Sequence, residues 1–207
     1  MTKPGKLFIV SGPSGAGKST LVSAVLENIG SIYKVERAVT YTTKQPRPGE
    51  VPGKDYIYVS VNGFEMHLAQ GHFLEITQGL GHYYGTPKSI MDNLTEGISQ
   101  VLVIDREGAR QMLARVPETV LIWVEVKSIE ILRMRLVNRQ TETLDQVEKR
   151  IGRAQKEIAQ EINEKLYHYH IINDDFRVAL SNIEHVFVRY LQNMGQSDTV
   201  KLVKRSI

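Results

Sequence analysis

The run Gly12-Pro13-Ser14-Gly15-Ala16-Gly17-Lys18-Ser19 has the G-x-x-x-x-G-K-[ST] spacing of a loop that wraps phosphate groups. Each residue type has a task in that chemistry. Glycines at 12, 15 and 17 let the backbone turn tightly and aim N–H groups at phosphate oxygens. Lys18 brings a cation to the β- and γ-phosphates, and the Ser19 hydroxyl is a ligand for Mg²⁺. An apolar run at 7–10 precedes the loop and an amphipathic stretch follows it, which is the strand-to-helix setting the mechanism requires.

Other residues could join that chemistry. Asp105 closes a second apolar run at 101–104, as a Walker B aspartate near a metal does; the plainer reading is an N-cap for a helix beginning near Arg106. Arg135 and Arg139 stand i,i+4 on one helical face, and Arg150 follows on the next helix. Three such arginines can fold over a triphosphate, where charge spreads over the transferred phosphoryl oxygens; without the phosphate loop they would read as an exposed basic face. Lys44, Arg47 and nearby tyrosines could hold an anion, and fit equally well a solvated basic loop over core tyrosines. Glu75, after Phe73-Leu74, reads by itself as a surface strand residue. The six histidines show no metal spacing: Tyr167-His168-Tyr169-His170 alternates faces and lacks a carboxylate-flanked pair, which points to packing or surface.

The hydrophobic pattern supplies a scaffold for these residues. Runs of the fully buried strand type at 7–10, 101–104, 120–124 and 171–172 are separated by helical-period segments, which predicts a parallel α/β sheet. The helix after the phosphate loop puts Leu21, Val22, Val25, Leu26 and Ile29 on one face and is expected to stop at Gly30 in a left-handed C-cap. A second helix shows Ala109, Met112, Leu113 and Val116. The last shows Phe176, Ala179, Leu180, Ile183, Val186, Phe187, Tyr190, Leu191 and Met194.

Two segments differ. From 35 to 88 the chain is turn-rich, and Ile57, Val59 and Val61 alternate with Tyr56, Tyr58 and Ser60 as in a half-buried antiparallel strand. From 128 to 158 two helices meet at 138–143, where Thr143 and Gln146 have capping-box spacing. The expected fold is therefore α/β: a P-loop NTPase core whose mostly parallel sheet is flanked by helices, with a β-rich arm and a helical, arginine-bearing lid. One domain is expected, with core at about 1–34, 89–127 and 159–195, arm at 35–88, lid at 128–158, and 196–207 unassigned.

The bulk numbers agree. A chain of 207 residues can bury one sizeable core, and no run approaches the roughly 18 apolar residues of a membrane helix. The absence of cysteine excludes disulfides, thiolate metal sites and cysteine nucleophiles, and fits a reducing cytoplasm; no export is implied by the N-terminus. A net charge of +3 with dispersed basic residues makes anionic small molecules a better match than nucleic acid.

From about Lys6 to Asp175 the chain resembles the guanylate kinase family of P-loop nucleoside monophosphate kinases. The resemblance is carried by the phosphate loop, the segment from Thr40 to Tyr56, Glu75, Gly81-His82-Tyr83-Tyr84-Gly85-Thr86, the lid arginines and Asn173-Asp174-Asp175. It implies transfer of the ATP γ-phosphate to GMP, giving ADP and GDP, with Mg²⁺ as cofactor, for purine nucleotide metabolism and GMP recycling. ATP would bind Gly12, Pro13, Ser14, Gly15, Ala16, Gly17, Lys18, Ser19 and Thr20, with Asn173 as a base contact. Lys18, Arg135, Arg139 and Arg150 would be catalytic.

On the acceptor side the resemblance implies that Arg47, Tyr56 and Tyr84, with Lys44 where the family has arginine, grip the GMP phosphate, and that Glu50 also belongs to the GMP site. Glu75, Thr40 and Thr86 would read the guanine edge, since one carboxylate accepts from guanine N1–H and N2–H together, a pattern adenine lacks. Asp105 would lie beside both guanine and Mg²⁺, with Ser19 as the other metal residue. Val103 stands where many relatives carry a second aspartate, Asn138 and Gln140 replace lid glycines, and Val126-Lys127 replaces a double proline, so hinge flexibility is expected to differ. A same-fold kinase of a ribose bisphosphate and a non-catalytic interaction module are the rival readings. Glu75 with Thr86 counts against the first, and intact Gly17, Lys18 and Ser19 against the second. The partners implied are ATP and GMP, with no nucleic acid or membrane, for a monomer or homodimer.

Overall fold

The computed structural model describes residues 3–138 and 143–192. Its core is a five-stranded parallel sheet of β1 (Leu7–Ser11), β2 (Val35–Arg37), β7 (Ser99–Val103), β8 (Val120–Glu125) and β9 (Tyr169–Ile172), in the order β2-β7-β1-β8-β9. Every residue of β1 is buried, because helices cover both faces. Period-two alternation divides the strands between two cores. Phe8, Val10, Ile122 and Val124 pack with α1 (Lys18–Ile29) and α7 (Phe176–Gln192), and Phe187 stacks on Phe8 at a ring separation of 4.3 Å. Leu7, Ile9, Leu121 and Trp123 pack with α3 (Ile90–Thr95) and α4 (Arg106–Arg115). Each of these large side chains contributes roughly 2–3 kcal/mol of burial free energy. Among the described residues no helix is long and apolar enough to cross a membrane.

Three sequence expectations are corrected here. Gly30 follows α1 but is right-handed, with φ −64°, and Tyr33 N–H still reaches the Ile29 carbonyl, so the chain turns on rather than reversing at a left-handed cap. In α7, Ala179, Ile183, Val186, Phe187 and Leu191 are buried as the stripe requires, yet Phe176 is 40% exposed at the first turn. Met194 lies outside the described residues, as does 196–207. The alternation at 56–61 is not one antiparallel strand. β4 (Tyr56–Tyr58) is three residues long and parallel to β3 (Thr40–Thr42), and the Ser60 hydroxyl then accepts the Gly63 N–H at 3.1 Å to cap α2 (Val61–Ala69).

The arm is a second sheet, ordered β4-β3-β6-β5, completed by β5 (Phe73–Gly79) and β6 (His82–Pro87). Because β2 pairs with β7 and Ala38 N–H bonds the Val101 carbonyl, the arm starts after Ala38 rather than at Val35. Core and arm are fastened by Gln111 on α4, whose amide accepts from Ile76 N–H at 3.2 Å and donates to the Ile76 carbonyl at 3.0 Å on β5.

The lid consists of α5 (Ile129–Val137) and α6 (Leu144–Glu164). Both bonds of the expected capping box form: Thr143 Oγ1 accepts from Gln146 N–H, and Gln146 Oε1 accepts from Thr143 N–H. Helix α6 continues without interruption past 158 into the core. There Glu161, 2% exposed, pairs with buried Arg106, accepts from the backbone of Leu166 and Tyr167 at 3.2 Å, and meets His170 Nε2 at 3.1 Å. One carboxylate thus anchors both the helix end and the reversal after it.

Candidate functional site

The phosphate loop folds as its glycines require. Gly12, Gly15 and Gly17 all have φ between 88° and 140°, the left-handed region, and a Cβ on Gly12 would run into the Val124 carbonyl. Lys18 Nζ folds back to donate to the carbonyls of Gly12 at 2.7 Å and Pro13 at 2.9 Å. Ser19 and Thr20 occupy the exposed first turn of α1. The lid reaches the loop through Arg150, which is buried and donates to Ser14 Oγ at 2.8 Å.

Asn173, expected at the donor base, is buried with its amide donating to the Ala16 carbonyl at 2.7 Å, so in this structure it braces the loop from the end of β9. Its own carbonyl accepts from Arg135 Nη2 at 2.8 Å. Arg139 lies outside the described residues.

A continuous cleft runs from the loop to the arm, lined by Lys18, Ser19 and Thr20 at one end and by Thr40, Lys44, Arg47, Tyr56 and Tyr84 at the other, with Asp105 and Arg150 between. On the arm, Glu50 gathers three donors: Lys44 Nζ, the Arg47 N–H at 2.8 Å and the Tyr58 hydroxyl at 2.8 Å. Burial raises the Glu50 carboxyl, but these donors outweigh it and hold it below the usual range. Burial pulls the Lys44 ammonium below its ordinary value against the attraction of Glu50. Its charge also lies over the rings of Tyr56 at 4.7 Å and Tyr58 at 5.4 Å. Burial, reinforced by Tyr84, pushes the Tyr56 phenol up to about 12, and burial raises Tyr84 too, so both remain hydroxyl donors at neutral pH.

Glu75 is no surface residue: it is 3% exposed, and Thr86 beside it is fully buried. Oε1 accepts the Thr86 hydroxyl, while Oε2 is buried with no hydrogen-bond partner among the described residues. Burial pushes this carboxyl up to about 7, with the Thr86 hydrogen bond opposing and Asp105 adding to the rise. The N-terminus of α4 stands against it, where a Cβ on Gly108 would lie 2.8 Å from Oε2. Neither Glu75 nor Thr86 lines the cleft.

Asp105 caps α4, Oδ1 accepting the Gly108 N–H at 3.0 Å, and its Oδ2 accepts from Arg153 Nη2 at 2.7 Å. The N-cap, the plainer reading of Asp105, is formed, and the residue also lines the cleft. Arg153, Gln111, Gly108 and Tyr58 were not among the site residues expected from sequence. Only Arg153 had a usable signal, its i,i+3 spacing from Arg150 on one helix face. His170 lies between Glu125 at 3.6 Å and Glu161 at 3.1 Å, yet no group of three or more such side chains among the described residues could hold a metal.

A parallel α/β core, a glycine loop between β1 and α1, a separate β arm and a helical lid define a P-loop nucleoside monophosphate kinase. Comparison with known proteins narrows this. The sequence model of the guanylate kinase family matches residues 4–190, and the chain belongs to that family. It is 40% identical over 184 residues to guanylate kinase of Shewanella oneidensis, covering 88% of this chain and 86% of that protein. It is also 40% identical over 176 residues to guanylate kinase of Rubrobacter xylanophilus, covering 84% and 89%. Among solved structures, guanylate kinase from Anaplasma phagocytophilum superposes with a TM-score of 0.73 at 28% identity, over 91% of this chain and 87% of that one.

Proposed function

We propose that the chain transfers the γ-phosphate of ATP to GMP, giving ADP and GDP, in the cytoplasm and with Mg²⁺. The observation that carries this reading is the single cleft with the phosphate loop at one end and the Lys44, Arg47, Tyr56 and Tyr84 cluster at the other. Two anion sites of different construction, facing one space, suit two phosphate-bearing substrates held for direct transfer.

The donor triphosphate lies along Gly12–Thr20, with Lys18 leaving its loop carbonyls for the β- and γ-phosphates. Arg150, with Arg135 and Arg139 from the same lid, offsets charge that spreads over the transferred oxygens. The acceptor phosphate takes Lys44, Arg47 and the two phenols, and Glu50 orients Lys44. Glu75, as carboxylate, accepts from guanine N1–H and N2–H, with Thr86 and Thr40 beside it and Asp105 near the base; the unpartnered Oε2 is the acceptor such a base would fill. No protein nucleophile or general base is needed, because the acceptor phosphate oxygen is already ionised. Closure of arm and lid excludes water that would otherwise hydrolyse ATP.

Mg²⁺ favours a few hard oxygen ligands together with phosphate and water, and the cleft-lining Ser19 hydroxyl and Asp105 carboxylate are of that kind. They would hold it, Asp105 through water, and the ion supplies charge neutralisation on the phosphates. The test is an acceptor panel with ATP and Mg²⁺: GMP, AMP, CMP, UMP and a ribose bisphosphate. GMP should exceed the other nucleotides by at least ~100-fold in kcat/KM. Comparable use of AMP would sink the guanine reading, and turnover of the ribose bisphosphate alone would replace it.

A further inference from the structure

Arg153 touches three parts of the molecule at once. It projects from the lid helix α6, where its Nε donates to Glu157 at 2.7 Å. Its Nη2 donates at 2.7 Å to Asp105 of the core. Its Nη1 packs on Gly79 at the end of arm strand β5, in space that a Cβ there would occupy. A planar guanidinium with several fixed N–H directions suits such a three-way junction, which a single ammonium cannot span.

The contacts continue on both sides. Arg150, which reaches Ser14 of the phosphate loop, is the i,i+3 neighbour of Arg153 on the same helix. Asp105 holds the Gly108 N–H, and Gly108 adjoins Glu75 of the arm. Acceptor side and donor side are thus joined by contacts from Glu75 through Gly108 and Asp105 to Arg153, and by one turn of α6 from Arg153 to Arg150. We propose that Arg153 is a positioning residue that couples the acceptor arm to the lid, so that an acceptor nucleotide bound on the arm steadies α6 and the contact of its Arg150 with the phosphate loop before ATP arrives. The inference rests on the acceptor reading above. A half-exposed ion pair such as Arg153–Asp105 adds little to global stability, so the contact is read in coupling rather than in melting temperature.

The chain has no cysteine, so a pair of introduced thiols can be labelled cleanly. Lys149→Cys on α6 and Glu118→Cys before β8, both exposed, report the lid-to-core distance by energy transfer. Titrating GMP alone into the labelled protein should narrow the spread of that distance, read from donor lifetimes. Arg153→Met should cut the GMP-induced change by at least about fivefold while GMP affinity, measured in parallel by calorimetry, stays within about threefold; Arg153→Lys, which keeps charge but not the fork, should recover part of it. An unchanged lid response in Arg153→Met overturns the proposal. So does a response lost only because GMP affinity collapses, which would make Arg153 a substrate contact. If the labelled parent binds GMP with the spread of distances unchanged, the coupling fails while the acceptor reading stands; if it binds no GMP, the acceptor reading itself fails and this inference with it.

Discussion

The hydroxyl of Thr86 donates to Oε1 of Glu75 at 2.6 Å, with both side chains buried behind the cleft. Burial lifts this carboxyl from 4.5 to about 7, so below about pH 7 the free protein favours the protonated acid, while the guanine recognition proposed for it needs the carboxylate. GMP affinity should therefore weaken about tenfold for each pH unit below 7. A raised carboxyl also means stability that is fully present below 4.5 and lost as pH rises through about 7, on the order of 3 kcal/mol relative to Glu75→Gln. Calorimetric titration of GMP between pH 5.5 and 8 tests the first effect. Because a nucleotide phosphate itself titrates near about 6, the slope is read against Glu75→Gln. That variant should bind GMP far more weakly at high pH, leave ATP binding intact and lack the extra dependence. Identical slopes would make Glu75 structural.

Gly108→Ala separates recognition from folding. The added Cβ would stand 2.8 Å from Glu75 Oε2 and 3.3 Å from Ile104 Cδ1, crowding the acceptor proposed for guanine. Alanine is also the better helix former by about 1 kcal/mol, which offsets the crowding in stability. KM for GMP should rise at least ~10-fold with the melting temperature nearly unchanged and KM for ATP unaffected. An unaltered KM for GMP would remove Gly108 and its neighbour Glu75 from the base site.

Lys18→Met deletes the loop cation while keeping the length of the side chain. In a site closed to water such a loss costs several kcal/mol in the barrier, so kcat should fall at least ~100-fold, with circular dichroism showing the fold retained. A folded variant working within a few-fold of the parent would contradict phosphoryl transfer at this loop.

Lys44→Arg replaces a point charge with a fork that can hold Glu50 and a phosphate oxygen together. KM for GMP should drop by about 2- to 12-fold, equivalent to about 0.5–1.5 kcal/mol, with little change for ATP. Steady-state kinetics with each substrate varied decides it. A rise in KM for GMP, or an effect confined to ATP, would detach Lys44 from the acceptor phosphate.

What could be read from the sequence was local. The glycine loop, the apolar faces of α1 and α7, and the Thr143–Gln146 capping box depend on residues within a few positions of one another, and among the described residues each formed as its spacing required except at Phe176. The alternation at 56–61 misled because six residues of period two fit one strand as well as a three-residue strand followed by a Ser60-capped helix. Gly30 misled because glycine permits a left-handed cap without demanding one. The residues overlooked at the site act across the chain. Arg153 meets Asp105 at a separation of 48 residues and Gln111 meets Ile76 at 35, pairings that no local period encodes.

Helix α6 also sets a lever. Its far end is pinned at Glu161, where Arg106, His170 and two backbone N–H groups converge on one carboxylate. Arg150 sits eleven residues back along an uninterrupted helix, about 16 Å from that fulcrum at the rise of an α-helix. A tilt of about 10° about the pinned end would carry the Arg150 guanidinium roughly 3 Å, enough to make or break its contact with the loop, without a change in any backbone dihedral between them. Gearing of this kind would let a rod with rigid links carry the Arg150 charge onto or off the loop, with its pivot in a buried ion pair that does not line the cleft.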